Sequence, residues 1–242
     1  MKVAAIVQAR MGSTRLPGKV LLDLFGETVL DRTINRVRRA QTLDEVVVAT
    51  TTEAADDVIA HLCAQRRWHC FRGNHHDVLD RYCQAAIAHQ ADIVVRLTSD
   101  CPLIEPTVID WVVQAFLDRQ PALDYAANTL PPRTFPRGLD TEVMSFDVLQ
   151  CAWREDSNLA WREHVTPYIY RTPGRFRLYA VSNPVDYSSM RWTVDTDEDL
   201  AFARRIYEHF GHDNFSWHEV LSVLEQHSEW LRINQTVAQK IV

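Results

Sequence analysis

Cations, hydroxyls and glycines near the start of the chain have the types and spacing of a phosphate site. The stretch from Gln8 to Lys19 reads QARMGSTRLPGK, and its polar and flexible residues are Arg10, Gly12, Ser13, Thr14, Arg15, Gly18 and Lys19. Arginine offers paired donors and lysine a point charge, both of which suit phosphate oxygens. Gly12 lets a ligand approach the backbone, where N–H groups and the Ser13 hydroxyl can bind it. The stretch therefore favours a polyphosphate ligand.

The spacing differs from two better-known phosphate loops. A P-loop has four residues between its glycines and a Ser or Thr after the lysine. Here five residues separate Gly12 from Gly18, and Val20 follows Lys19. No G-x-G-x-x-G is present, so the dinucleotide fingerprint is absent too. A solvated cationic loop is the alternative, but charges placed directly behind a predicted strand favour phosphate.

Two aspartates are expected to face the same crevice as this loop. Asp100 ends a strand within RLTSDCPLIEP, and Asp195 follows a short strand within RWTVDTDEDL. The carboxyl ends of parallel strands open into the crevice where α/β proteins bind ligands. The alternative is capping, of a turn by Ser99 or Asp100 and of the next helix by Thr196 or Asp197. Both interpretations can hold at Asp195, because capping by a neighbour leaves its carboxylate free.

The elements that must position these residues alternate in type. Strand-like runs are Val3–Val7, Glu45–Thr51, His69–Arg72 and Ile93–Leu97, and helical patterns fall near Val29–Ala40, Ala54–Arg66, Val78–His89 and Thr107–Arg119. This alternation predicts right-handed crossovers and a mostly parallel sheet covered on both faces.

The second half is less regular, beginning with the proline-rich loop from Asn128 to Asp140. After it we expect strands at Glu142–Phe146, Phe176–Ser182 and Arg191–Val194, with helices at Val148–Glu155, Glu163–Arg171, Asp197–Phe210 and Trp217–Gln226. No flexible linker is evident. The prediction is one continuous domain over residues 1–242, helical from about Asp197 onward.

Composition, net charge and cysteine pattern exclude several classes of protein function. With 242 residues, 46% hydrophobic and 24% charged, the composition fits an ordinary globular protein. A net charge of −6 argues against general nucleic-acid binding. No apolar run approaches the ~20 residues that span a membrane. The five cysteines form no C-x-x-C pair, and the first residues do not resemble a signal peptide. Both observations predict reduced thiols and a cytoplasmic location.

Taken together, the motifs resemble those of the cytidylyltransferases that activate sugar acids, the CMP-Kdo and CMP-acylneuraminate synthetase superfamily. The whole chain is most similar to the branch of spore coat polysaccharide biosynthesis protein F. The resemblance implies a three-layer α/β/α nucleotide-diphosphosugar-transferase (Rossmann-like) fold with a mostly parallel mixed sheet. It also implies transfer of CMP from CTP to an acidic sugar or similar anionic surface-polysaccharide precursor, with pyrophosphate released by a homodimer.

Carried over residue by residue, the resemblance places the triphosphate of CTP on the first loop. The implied nucleotide-binding residues there are Ala9, Arg10, Gly12, Ser13, Arg15 and Lys19. Asp100 and Asp195 are implied as ligands of Mg²⁺, which takes few protein carboxylates together with substrate phosphates. The expected catalytic residues are Arg10, Lys19 and Asp100.

Two further segments match family motifs less specifically. FRGNHHDVLDRY implies a base pocket near Arg72, Gly73, Asp77 and Arg81, although Asp77 could simply cap a helix. FPRGLDTEV and REHVTP match the spore coat branch, and imply acceptor contacts from Arg137, Asp140, Glu142 and Glu163 or His164. A structural network in which Asp140 and Glu142 pair with Arg137 is the alternative.

The sequence is also compatible with three other functions. A sugar-phosphate nucleotidyltransferase would use GTP or UTP, a glycosyltransferase would use a nucleotide sugar, and a sensor would bind nucleotide without catalysis. Two distant aspartates argue against the sensor, because simple nucleotide binding has less need of a second metal ligand.

Overall fold

A seven-stranded mixed sheet forms the centre of the protein, in a computed structural model that describes residues 1–239. The strands of the chain are β1 Val3–Gln8, β2 Asp23–Leu24, β3 Glu27–Thr28, β4 Glu45–Thr51, β5 His69–Gly73, β6 Ile93–Thr98, β7 Tyr125–Ala127, β8 Glu142–Ser145 and β9 Leu178–Ala180. The sheet has the order β5-β4-β1-β6-β8-β7-β9, and β2 and β3 form a separate short hairpin.

Strands β5, β4, β1 and β6 are parallel to one another. Strand β8 runs antiparallel to both β6 and β7, whereas β7 and β9 are parallel. The sheet is therefore mostly parallel and mixed, as the sequence predicted. This arrangement brings the carboxyl ends of β1, β4 and β6 to one edge.

Helices cover both faces of the sheet. They are α1 Val29–Val37, α2 Asp57–Arg66, α3 Val78–Ala88, α4 Pro106–Leu117, α5 Phe146–Glu155, α6 Leu159–His164, α7 Pro167–Arg171, α8 Asp197–Phe210 and α9 Trp217–Gln226, with 3₁₀ turns at Lys19–Leu21, Ala54–Asp56 and Ser228–Arg232. No helix in the described part of the chain is both long enough and apolar enough to cross a membrane.

Strand β1 shows how the sheet separates two apolar cores. Val3, Ala5 and Val7 pack into one cluster with residues of α1, α4, α8 and α9. Ala4 and Ile6 pack into the other cluster, with residues of α3 and α5. Successive side chains of a strand point to opposite faces, and burial on both faces explains the continuous apolar run of β1. The three-layer α/β/α arrangement is confirmed.

Three local predictions are corrected. The helix expected at Glu163–Arg171 is divided into α6 and α7, because Val165 has a φ of 71° between them and Pro167 begins the second helix. The strand expected at Phe176–Ser182 is limited to β9, and the one at Arg191–Val194 is reduced to an isolated bridge between Arg191 and Arg137. Strand β7 was missed, since three residues, YAA, are too few to show a periodic pattern.

Candidate active site

A cavity of about 300 Å³ opens at the carboxyl ends of β1 and β6. The first loop lines one side with Ala9, Arg10, Gly12, Ser13, Thr14, Arg15 and Lys19. Asp100 and Asp195 line it as well, although they lie far apart in the chain. The cavity stands where ligands bind in open α/β sheets.

Backbone hydrogen bonds shape the first loop. The Ala9 N–H donates to the Ala49 carbonyl at 3.1 Å, which extends the pairing of β1 with β4 by one residue. The Met11 N–H donates to Asp56 Oδ1 at 2.6 Å, and the Gly18 N–H donates back to the Met11 carbonyl at 3.0 Å. Gly18 has a φ of 69°, a left-handed conformation that glycine adopts without strain. The chain then enters the 3₁₀ turn that begins with Lys19.

Lys19 joins the two aspartates. Its Nζ donates to Asp100 Oδ2 at 2.6 Å and to Asp195 Oδ1 at 2.7 Å. The residue is 8% exposed. Burial lowers the pKa of Lys19, but the two carboxylates outweigh it and the pKa is raised, so the side chain is an ammonium. Three segments separated by 81 and 176 positions thus meet at one cation.

Asp100 is held as a carboxylate. Burial raises its pKa, but the charge and hydrogen bond of Lys19 and the hydroxyl of Thr98 lower it more, to about 2. The Thr98 hydroxyl donates to Oδ1 at 2.6 Å, which leaves Oδ2 directed at the ammonium. Thr98 is the last residue of β6, so the strand itself fixes the orientation of the carboxylate.

Asp195 is held by two arginines in addition to Lys19. Arg15 Nη2 lies 2.9 Å from Oδ1, and Arg191 Nη2 donates to Oδ2 at 2.7 Å. Thr196 caps helix α8 through a capping box with Asp199, so the cap leaves the Asp195 side chain for the cavity. The capping interpretation of this segment is confirmed, and metal binding by Asp195 stays a prediction. The roles of Arg191, which also pairs with Asp199 at 2.8 Å, were missed by the sequence analysis. An arginine four residues before the aspartate was the available signal.

The donor set fits a small divalent cation. Asp100 Oδ2 and Asp195 Oδ1 are carboxylate oxygens that converge on one point, now taken by the Lys19 ammonium. Magnesium prefers hard oxygen ligands and few protein carboxylates. These two residues could hold Mg²⁺ together with substrate phosphates.

Of the four residues expected near the base, Arg81 lines the cavity. It is 1% exposed, and its Nη1 donates to the Asn74 carbonyl at 2.7 Å. Its Nε has no hydrogen-bond partner among residues 1–239. Burial lowers the pKa of Arg81, followed by smaller effects of neighbouring charges. A buried guanidinium with an unsatisfied N–H at a cavity wall is suited to a polar ligand group.

The other three base-pocket candidates do not line this cavity. Arg72 Nε donates to the Thr51 carbonyl at 2.8 Å. Asp77 caps α3 by accepting from the Asp80 N–H at 2.8 Å, so the capping interpretation holds there. A side chain at Gly73 would place its Cβ 2.8 Å from a ring carbon of Phe71, a packing reason for glycine. Nucleotide contact by these three residues stays a prediction.

The acceptor candidates divide between the cavity wall and its surroundings. His164 and Glu163 line the cavity, and Glu163 Oε1 lies 3.3 Å from Arg10 Nη2. Arg137, Asp140 and Glu142 are not among its lining residues.

Ion pairs explain where two of these residues are held. Asp140 pairs with Arg133, and buried Glu142 pairs with Arg96 and accepts the Tyr125 hydroxyl at 2.7 Å. The carboxylates thus pair with arginines other than the Arg137 expected in the alternative network. Acceptor binding by this segment stays a prediction.

Known proteins resemble this chain in sequence and in fold. Residues 4–227 match the sequence model of a protein family described as "Cytidylyltransferase". The chain is 32% identical to the spore coat polysaccharide biosynthesis protein SpsF of Bacillus subtilis, with 93% of this chain and 94% of that protein covered. It is 29% identical to a 3-deoxy-manno-octulosonate cytidylyltransferase of Pelobacter propionicus, with 87% and 73% covered. A solved cytidylyltransferase from Leptospira borgpetersenii is 34% identical with a TM-score of 0.93, over 99% of this chain and 100% of that one.

Proposed function

Because this chain belongs to the cytidylyltransferase family, we propose that it transfers CMP from CTP to an oxygen of an acidic sugar and releases pyrophosphate. The family resemblance drawn from the motifs is confirmed. The acceptor class, the need for Mg²⁺, the homodimer and the cytoplasmic location are proposals that go beyond family membership.

One observation carries the proposal: the Lys19 ammonium contacts Asp100 and Asp195 at the wall of the same cavity. Nucleotidyl transfer places developing negative charge on the α-phosphate and on the departing pyrophosphate. A buried ammonium offsets such charge strongly, because water does not screen it there. Two carboxylates beside it supply the ligands that a Mg²⁺ ion would require.

The first loop is proposed to bind the triphosphate. Arg10 and Arg15 are partly exposed cations at the cavity wall, so their side chains have room to move to phosphate oxygens. A Cβ on Gly12 would meet no atom within 4 Å, so open space faces the loop backbone at this point. Backbone N–H groups and the Ser13 hydroxyl then complete a polyphosphate site.

Transfer proceeds by one in-line displacement. The acceptor oxygen forms a bond to the α-phosphorus while the bond from that phosphorus to the β-phosphate oxygen breaks. The electron pair leaves with pyrophosphate, and the acceptor loses its proton to solvent. Lys19, Arg10 and Arg15 orient the phosphates and offset their charge. Mg²⁺ held by Asp100 and Asp195 would supply further charge neutralisation when bound.

The proposed acceptor class is supported by relatives and by charge. One relative is named a spore coat polysaccharide biosynthesis protein, and another a 3-deoxy-manno-octulosonate cytidylyltransferase. The name of the second relative identifies an acidic sugar as its acceptor. In this chain Arg81 and Arg10 add positive charge to the cavity wall, beside His164. An anionic acceptor fits this surface better than a neutral one.

Pyrophosphate release tests the proposal directly. Each of CTP, UTP, GTP and ATP is incubated with Mg²⁺ and a panel of sugar acids, with the corresponding sugar phosphates as a second panel. We expect release only with CTP and a sugar acid, and no release without Mg²⁺. Turnover of UTP or GTP with a sugar phosphate would replace the proposal by sugar-phosphate nucleotidyl transfer. Absence of any release with bound CTP would favour a nucleotide sensor.

A further inference from the structure

A second cluster of polar side chains lies at the edge of the sheet opposite the cavity. Glu45 is the first residue of β4, and His69 is the first residue of β5. His89 directly follows α3 and is its C-cap residue. Because β4 and β5 are parallel, their amino ends meet at one edge, and the proposed active site lies at the other edge, at the carboxyl ends of β1 and β6. Nothing in the proposed reaction uses this cluster.

The three side chains converge on one carboxylate oxygen. His89 Nδ1 lies 2.9 Å from Glu45 Oε1, and His69 Nε2 lies 3.5 Å from the same atom. One ligand atom from each residue lies within 4.8 Å of the other two. Tetrahedral zinc with bonds of about 2.0–2.1 Å separates its ligands by about 3.3 Å. Small rotations of the two rings would therefore open room for an ion between these atoms.

From this geometry we propose that Glu45, His69 and His89 bind a divalent transition-metal ion of the Zn²⁺ class. Two imidazoles and one carboxylate are a donor set that zinc uses in proteins, with a further position for water. Imidazole ligands select against Mg²⁺, which prefers oxygen. The protein would then carry two cation sites of different chemistry at opposite edges of one sheet.

The surroundings orient the carboxylate. Lys2 Nζ lies 2.6 Å from Glu45 Oε2 and donates to the His89 carbonyl at 2.7 Å. This contact occupies one carboxylate oxygen and leaves Oε1 directed at the two rings. A neighbouring group that orients a metal-binding carboxylate helps to keep the ligand geometry fixed, and Lys2 can do this for Glu45.

Solvent reaches the cluster from the His69 side. The His69 side chain is 64% exposed, whereas those of Glu45 and His89 are 11% and 17% exposed. Glu45 and His69 also border a cavity of about 210 Å³, with Trp68 on its wall. An ion can therefore arrive without opening of the core, and a water ligand has space on that side.

The test is titration of the metal-free protein with Zn²⁺ alone, by calorimetry and without nucleotide. We expect about one tight ion per chain, and at least a tenfold loss of affinity in Glu45→Gln, His69→Gln and His89→Gln. The control His61→Gln changes an exposed histidine of α2 and should bind Zn²⁺ like the wild type. Wild-type protein with no binding below about 100 µM Zn²⁺ would overturn the proposal.

Two further variants distinguish other zinc ligands. Asp195→Asn alters the proposed Mg²⁺ site, and Cys70→Ser alters a half-buried thiol next to His69. Both should keep tight Zn²⁺ binding, and loss in either would assign the ion elsewhere. Anomalous scattering at the zinc edge from wild-type crystals gives the ligands independently of variant folding. A peak bounded by Glu45, His69 and His89 supports the site, and a peak elsewhere refutes it.

Discussion

The half-buried carboxylate of Asp100 makes the stability of the protein depend on pH. Its pKa is lowered from 3.8 to about 2, because the contacts with Lys19 and Thr98 outweigh the burial that would raise it. A carboxyl whose pKa is lower in the folded protein stabilises the fold above its unfolded pKa. This stabilisation is lost as pH falls from about 4 toward 2.

The magnitude follows from the size of the pKa shift. One pKa unit corresponds to about 1.4 kcal/mol, so the charged Asp100 contributes about 2 kcal/mol to the free energy of unfolding at pH 6. By linkage, about 1 kcal/mol of this remains at pH 3, where the unfolded state is mostly protonated and the folded state is not. Asp100→Asn removes the titrating group, so the variant should lack this part of the pH dependence.

Urea unfolding of wild type and Asp100→Asn at pH 6 and pH 3 measures the effect. The difference in unfolding free energy between the two proteins should shrink by about 1 kcal/mol at the lower pH. Asp118→Asn, an exposed carboxylate where α4 ends, is the matched control, and its difference from wild type should stay constant. A difference for Asp100→Asn that is unchanged or larger at pH 3 would refute the reasoning.

Three other substitutions test the site and its support. Lys19→Met should lower kcat/KM for CTP by about 10²–10³, because removal of a preorganised donor costs about 3–4 kcal/mol in the transition state, measured by steady-state pyrophosphate release. Glu142→Gln should lower the free energy of unfolding by about 3 kcal/mol in urea, since it leaves the largely buried Arg96 side chain, 13% exposed, without its charged partner. Gly138→Ala should lower the melting temperature markedly, because the glycine has a φ of 108° and a Cβ would lie 2.7 Å from the Trp192 backbone carbon.

Matched controls separate these effects from general damage. Arg38→Met removes an exposed cation at the opposite edge of the sheet and should keep the kcat/KM of wild type. Gly174→Ala introduces a similar positive φ, of 74°, but the Cβ meets no atom within 4 Å. It should therefore cost less stability than Gly138→Ala. Equal losses at the two glycines, or an unaffected Lys19→Met enzyme, would contradict the structural reasons given.

The sequence by itself determined the first half of the fold and the main residues of the site. Continuous apolar runs predicted the buried parallel strands β1, β4 and β6, because burial on both faces selects apolar residues at every position. The cations of the first loop and Asp100 follow those strands directly, so strand order alone placed them at one edge. Local sequence also predicted a cap before α8, at Thr196 or Asp197, since capping depends on residues three positions apart, and the structure selects Thr196.

Only the tertiary structure decided which of these groups touch. The contacts of Lys19 with Asp100 and Asp195 span 81 and 176 positions, and no local pattern encodes such distances. The same holds for Arg72, which contacts a backbone carbonyl of the neighbouring strand, and for Glu142, which pairs with Arg96 across β6 and β8. Charge and spacing restrict where a side chain can lie, but the packing of distant segments selects its partner, because each arginine could satisfy several carboxylates or carbonyls.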